Sequence, residues 1–273
     1  MSDRRLTPFS GRVALESLRG AVAAEFTAGT PARLIRPVAD LCPEPGAPRD
    51  RQLLFGAELI VVELRGDHAF VQARADGYCG WVAAAALGVP GAASHVVSAP
   101  ATHVYREASI KRGEVMRLSL GARVSVIGAE GIFAITPEGH IPAGHLRPLA
   151  QPEADPVTVA ERLLGTPYLW GGNSRDGIDC SGLVQLAHAL CGRSCAADSD
   201  LQRAEFGDFL PEGTAPQRGD LFFWKGHVAM ACDAERMIHA NGHTMSVAYE
   251  PIAAALARIA AAGEGAYFGM KRP

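Results

Sequence analysis

The sequence contains no apolar run approaching the roughly 18 residues needed to span a bilayer, so a membrane-spanning helix is not expected. It also lacks an excess of positive charge. Lys and Arg number 26 against 29 Asp and Glu, for a net charge of −3, which argues against a nucleic-acid or polybasic membrane-surface protein. Aromatic residues make up only 7%. The opening stretch MSDRRLTPFSGRVALESL has no apolar core after its arginines. No secretory signal is therefore expected, and the expected location is cytoplasmic. Cysteine is sparse, with six residues in 273, and in a chain without an export signal free thiols are expected rather than disulfides. Cys191 and Cys195 lie four apart near His188, but no second Cys/His pair completes a zinc site, so no metal is expected.

What is present falls into two textures. Residues 1–25 read as an arm or short helix, because VALESLRGAVAAEF has helical periodicity. From 26 to 150 short β-like runs alternate with Gly, Pro and Asp turns, as in ELIVVELRGDHAFVQAR and GEVMRLSLGARVSVIGAEGIFAIT. The order of parts repeats, which suggests two diverged copies of one module of about 60 residues, at 26–90 and 91–150. The Pro- and acid-rich joint AQPEADPVT (150–158) reads as a linker. Beyond it, residues 151–273 are mixed. VTVAERLLGTPY reads as a helix ending at Gly165. CSGLVQLAHALCG reads as a second helix, with Leu183, Leu186, Ala187 and Leu190 at i, i+3, i+4, i+7 and Gly192 as its stop. Strand-like runs DLFFW, HVAMAC, RMIHAN and AYFGMKR follow. Helices first and strands after predict an α+β domain with an antiparallel sheet, behind two small all-β modules.

Chemistry is concentrated in the last domain. Cys180 falls at the predicted N-terminus of the second helix, where unpartnered N–H groups and the positive end of the macrodipole favour thiolate. A buried structural thiol remains the alternative on position alone. His227 begins one strand and His239 lies near the end of the next. If the hairpin turns through Cys232-Asp233-Ala234, then 231 faces 235, 229 faces 237 and 227 faces 239. The two imidazoles then share a face and can hydrogen-bond, His227 as base and His239 holding its tautomer. Ala229 and Ala231 leave that face open to a packed helix carrying Cys180. A one-residue slip in register would separate the faces.

With Pro167-Tyr168, Trp170-Gly171-Gly172, Asp179-Cys180-Ser181-Gly182-Leu183-Val184, Arg218-Gly219-Asp220-Leu221, Gly226-His227-Val228 and Ile238-His239-Ala240 in this order, residues of about 155–273 resemble the NlpC family of bacterial cell-wall cysteine peptidases, a compact relative of the papain fold. GDHAFVQARADGYCGWV resembles bacterial SH3-like domains; the second copy departs by having Ile141 in place of Trp81. The resemblance implies Cys180 as nucleophile, His227 as general base, His239 as third member of the triad, and the Tyr168 hydroxyl with the Cys180 backbone N–H as oxyanion hole. It implies cleavage of the γ-D-glutamyl bond to a diamino acid, L-lysine or meso-diaminopimelate, in murein peptides. Two leading SH3-like modules without an export signal resemble murein-peptide recycling enzymes that take peptides with a free N-terminal L-alanine. Asp179 would then read the ammonium, with Ser181 and Ser199 helping to hold the substrate, Gln202 supporting Ser199, and Tyr78 and Glu44 contributed by the first module. No metal or organic cofactor is implied; the partner is the murein peptide, with no nucleic acid and no membrane, and the oligomeric state is open. The alternatives are an exported wall-remodelling hydrolase, an amidase or acyltransferase on the same core, and an inactive binding protein.

Overall fold

The computed structural model describes residues 3–263 and 265–273. The chain divides into two compact units, Met1–Gln151 and Pro152–Pro273, each considered separately.

The first unit is β-rich, built of short strands linked by glycine turns and 3-10 turns. Its opening differs from the helical expectation for residues 1–25. Val13–Leu15 is a strand paired in parallel with Glu25–Thr27, and Arg4–Leu6 and Glu16–Leu18 are single 3-10 turns. The positive φ of Gly11 and Gly20 breaks the chain on either side of Val13–Leu15, so the helical apolar spacing there is served by strand pairing instead. Residues of the next stretch form a five-stranded antiparallel sheet, and its aromatic pair Phe70–Trp81 packs edge to face at 5.4 Å. Val62, Phe70, Cys79 and Trp81 form its core.

A second β module follows, with its own apolar cluster of Val97, Val104, Leu118, Ala122, Val124 and Ile141. Phe55, from the first module, is buried in that same cluster, and its carbonyl accepts the Arg123 N–H at 2.9 Å. Gly56 makes the approach possible: it has φ +78°, and a Cβ there would lie 2.1 Å from the Arg123 carbonyl oxygen. Where the first module pairs Phe70 with Trp81, the second pairs Ala134 with Ile141.

The second unit is an α+β domain. Helix α1 (Pro156–Glu161) is capped by Asp155, whose carboxylate accepts the Val157 and Thr158 N–H groups. Helix α2 (Cys180–Leu190) stops ahead of Gly192, which has φ +70°. Its Leu183, Leu186, Ala187 and Leu190 are buried, as their spacing predicts. Helix α3 is Ser199–Glu205 and α4 is Ile252–Ala262. Five antiparallel strands run in the order Ser246–Pro251, Arg236–Asn241, His227–Ala231, Leu221–Trp224, Tyr267–Lys271. Four of these were expected from the sequence; Ser246–Pro251, α3 and α4 were not. On one face, Phe222, Trp224, Ala229, Ala231, Met237 and Met270 pack against Ile252, Ala255 and Ile259 of α4.

Candidate active site

Cys180 is the first residue of α2, and the element before it is built to hold it there. Asp179 is the N-cap: one carboxylate oxygen accepts the Gly182 N–H at 2.7 Å and the Ser181 hydroxyl at 3.1 Å. The other accepts the Gly171 N–H at 2.9 Å. The same side chain therefore starts the helix and ties it to the Trp170-Gly171-Gly172 turn. Close packing completes the junction. A Cβ on Gly182 would lie 2.7 Å from the Gly172 carbonyl oxygen. The Cys180 thiol is buried against the backbone N–H groups of Val228, Ser181 and Cys180 itself, so the nucleophile is set beside the residue that follows His227.

The helix terminus does not win the contest over the thiol. Burial, then the neighbouring Asp179 carboxylate, push the thiol up to about 12, against the smaller pull of the three N–H groups. This differs from the thiolate expected from position alone, because the sulfur is out of water. His227 moves the opposite way, down to about 3, chiefly by burial and then by His239. The couple thus rests as neutral thiol and neutral imidazole.

The two histidines do meet, but not by the expected register. Met230 pairs with Ile238 and Ala231 with Met237, so the ladder brings His239 opposite Ala229 rather than His227. The turn is responsible. Asp233 accepts the N–H groups of Glu235 and Arg236 at 2.9 and 2.8 Å, which centres the turn one residue later than Cys232-Asp233-Ala234. Register moves by two residues, an even number, and the faces are preserved. His227 and His239 are diagonal neighbours, and their rings span the gap with Nε2 of His227 3.0 Å from Nδ1 of His239. A second correction concerns the helix over Ala229 and Ala231, which is α4 rather than α2.

His239 is fully buried and lowered to about 4, first by burial. Its Nε2 is 3.1 Å from a carboxylate oxygen of Glu250, and Arg258 of α4 holds both oxygens of that carboxylate at 2.9 and 2.8 Å. Glu250 and Arg258 are not among the site residues expected from the sequence. The signal available was that Glu250 belongs to a strand alternating on one face with Ala248, but that strand itself was not recognised. Trp224 lies across from His227 in the sheet, with ring centroids 5.5 Å apart.

Tyr168 is half-buried, anchored through its N–H to the Met245 carbonyl at 2.9 Å. Burial raises its hydroxyl pKa, with further increments from Cys180 and Asp179, whose charges it senses. Ser181 is buried and donates to Asp179. Ser199 opens α3 and is half-buried. Gln202 is fully buried, and its Nε2 donates to the carbonyls of Ser181 and Ala196, both at 2.9 Å, so it ties α3 to the first turn of α2. Tyr78 and Glu44 belong to the first unit. Tyr78 is 1% exposed, with the Arg51 guanidinium over its ring. Glu44 is exposed on a groove of about 710 Å³ that also includes Asp40, Cys42, His68 and Trp81. His188, near Cys191 and Cys195, has no hydrogen-bond partner on either ring nitrogen and packs against Phe206 at 5.2 Å. Among the described residues, no group of three or more His, Cys, Asp or Glu could hold a metal ion. All six cysteines are free, and no helix among the described residues is long and apolar enough to cross a membrane.

A cysteine at a helix start, beside a strand carrying one of two linked imidazoles on an antiparallel sheet, defines the second unit as a cysteine–histidine α+β domain. Residues 165–258 match the NlpC/P60 family, and residues 41–87 match the bacterial dipeptidyl-peptidase Sh3 domain. The chain carries an NlpC/P60 domain behind a bacterial SH3 domain; the Sh3 match covers the first β module alone.

Dipeptidyl-peptidase 6 of Lysinibacillus sphaericus is 40% identical over 87 residues, a match that spans 31% of each chain. Gamma-D-glutamyl-L-lysine dipeptidyl-peptidase of Bacillus subtilis is 29% identical over 214 residues, covering 69% of this chain and 71% of that protein. In fold, the chain is similar to the crystal structure of an NlpC/P60 family protein from Bacillus cereus, with a TM-score of 0.74 at 22% identity, over 89% of this chain and 99% of that one.

Proposed function

We propose that this protein is a cysteine endopeptidase that hydrolyses the γ-D-glutamyl–diamino acid bond, to meso-diaminopimelate or L-lysine, of murein peptides with a free N-terminal L-alanine. We assign it to peptidoglycan recycling in the cytoplasm. The observation that carries the reading is the set of Cys180 at the start of α2 and the His227–His239 pair at 3.0 Å. The relatives in Bacillus subtilis and Bacillus cereus named gamma-D-glutamyl-L-lysine dipeptidyl-peptidase support the substrate class.

The chemistry is acyl transfer. As Cys180 Sγ attacks the γ-carbonyl carbon, its proton passes to His227, whose Nδ1 is the nitrogen not engaged by His239. The carbonyl oxygen gains charge as the C–S bond forms, and the Tyr168 hydroxyl and the Cys180 backbone N–H donate to it. His227 then returns the proton to the departing amine as the C–N bond breaks, leaving a thioester. Water, deprotonated by His227, attacks the thioester and restores the thiol.

Asp179 is proposed to receive the substrate ammonium. Three local donors already engage its carboxylate, and a carboxylate has about four lone-pair sites, so capacity for one more donor remains. Ser181 and Ser199 are proposed to help hold the peptide, and Tyr78 and Glu44 of the first unit to contribute to substrate affinity. The test is digestion of L-Ala-γ-D-Glu-meso-diaminopimelate and its L-lysine counterpart by mass spectrometry, with and without N-terminal acetylation. Cleavage that is lost in Cys180→Ala and suppressed by acetylation is expected. Undiminished cleavage by Cys180→Ala would remove the nucleophile assignment, and indifference to acetylation would remove the ammonium pocket.

A further inference from the structure

Four side chains from four elements form one line: His227 from the third strand of the sheet order, His239 and Glu250 from the two strands beyond it, and Arg258 from α4. The contacts are 3.0 Å between His227 Nε2 and His239 Nδ1, 3.1 Å between His239 Nε2 and Glu250, and 2.9 and 2.8 Å between Glu250 and Arg258. Along such a line, the end that can only accept dictates every proton behind it.

Arg258 donates to both oxygens of Glu250 and, ahead of the other influences, holds its carboxyl below the usual range. Glu250 is therefore ionised and can only accept. His239 Nε2 must then carry the hydrogen. Burial keeps His239 neutral at working pH, so its Nδ1 is a lone pair and can only accept. His227 Nε2 must in turn carry its hydrogen and donate. What remains on His227 is an unprotonated Nδ1, the one ring nitrogen available to take a proton.

We propose that Glu250, held by Arg258, is a positioning residue that sets the tautomer of the catalytic base through His239, so that His227 presents Nδ1 as a lone pair. The proposal rests on the peptidase reading for the identity of the base, but its geometry does not. Glu250 bonds to His239 and Arg258, and it acts on His227 through the His239 ring. Packing explains why the arrangement persists. His239 is fully buried and Glu250 largely so, which leaves little water to compete for either ring nitrogen of His239.

Glu250→Gln reverses the instruction. Arg258 is a pure donor, so the amide oxygen turns to it and the amide N–H₂ faces His239. His239 Nε2 must then accept, Nδ1 carries the hydrogen, and His227 is driven to the tautomer with a proton on Nδ1. The experiment is nitrogen NMR of the full chain labelled with [¹⁵N]histidine, together with kcat and KM on the tripeptide. The wild type should show His227 and His239 both protonated at Nε2. Glu250→Gln should move both to Nδ1 and lower kcat by roughly 10²-fold or more, with KM within about twofold. Glu250→Asp, which keeps an acceptor-only partner, should keep the wild-type tautomers and recover part of kcat. A wild-type spectrum with Nδ1–H on His239 overturns the proposal without any variant. So does Glu250→Gln with wild-type tautomers and kcat. The spectra need no substrate, so if the wild type cleaves no murein peptide the peptidase reading falls while the tautomers still decide this proposal.

Discussion

His227 and His239 meet along a diagonal of the sheet, Nε2 to Nδ1 at 3.0 Å, and not across a rung. The contact survives because the turn at Asp233 shifts register by an even number of residues. It also makes His239 the only described side chain through which Glu250 reaches the base.

Replacing His239 should therefore separate positioning from acid–base chemistry. His227→Ala should abolish peptide cleavage. His239→Ala should lower kcat by about 10²-fold while leaving KM near the wild-type value, because His239 is buried beneath His227. Steady-state kinetics on the tripeptide decide this; a change confined to KM would contradict the assignment.

Tyr168→Phe removes one hydroxyl near Cys180 and nothing from the sheet. Its backbone anchor to Met245 is retained. The expected result is a fall in kcat of about 10²-fold, with unchanged melting temperature by circular dichroism. Equal kcat for the two proteins would exclude the hydroxyl from the oxyanion hole.

Gly182→Ala tests the junction that seats the nucleophile. The added methyl meets the Gly172 carbonyl oxygen at 2.7 Å, a backbone atom that cannot swing away. Separation of α2 from the Gly171-Gly172 turn should cost about 1–3 kcal/mol and carry Cys180 with it. Urea denaturation and kcat should fall together; a variant as stable and active as wild type would show that the junction yields freely.

Acid should destabilise the protein through His188. Its folded pKa is held down to about 4 by burial, against an ordinary 6.5. Between those values the unfolded chain binds a proton that the folded chain refuses, so stability rises with pH across this window and is lost as pH falls from 6.5 toward 4. The full effect is on the order of 3 kcal/mol. Because neither ring nitrogen has a partner, His188→Leu forfeits no hydrogen bond and should flatten the dependence of melting temperature on pH from 4.5 to 6.5. His227 and His239, lowered in the same direction, should supply the slope that remains. An unchanged slope in His188→Leu would refute the assignment.

Asp155 links two roles on the surface. It caps α1 and receives Arg218 at 2.6 Å. Asp155→Ala should cost about 1–2 kcal/mol, mostly from the cap, since partly exposed ion pairs contribute little. Thermal melts should show that loss with kcat unchanged, and added salt should recover little of it.

Much of the site could be read from residue order alone. The Asp179-Cys180 pair ahead of an apolar i, i+3, i+4, i+7 pattern specifies a capped helix with cysteine in its first turn, because capping and helical periodicity are local properties. The even spacing of His227 and His239 permits a shared face, but only in a register that pairs Met230 with Ile238 or one shifted from it by an even number, which the turn decides. What the sequence left open depended on parts of the chain distant from one another. The helical spacing of residues 12–25 was overridden by pairing of Val13–Leu15 with Glu25–Thr27. Diagonal contact instead of a rung followed from where one aspartate closed a turn. Burial, set by the packing of α2 and α4 on the sheet, decided that the thiol and imidazole rest neutral, reversing what the helix terminus alone would favour. The Glu250–Arg258 pair became legible only when a strand and a helix separated from Cys180 by some 70 residues of sequence closed over His239, since a hydrogen-bond relay is a property of the folded chain and of no single segment.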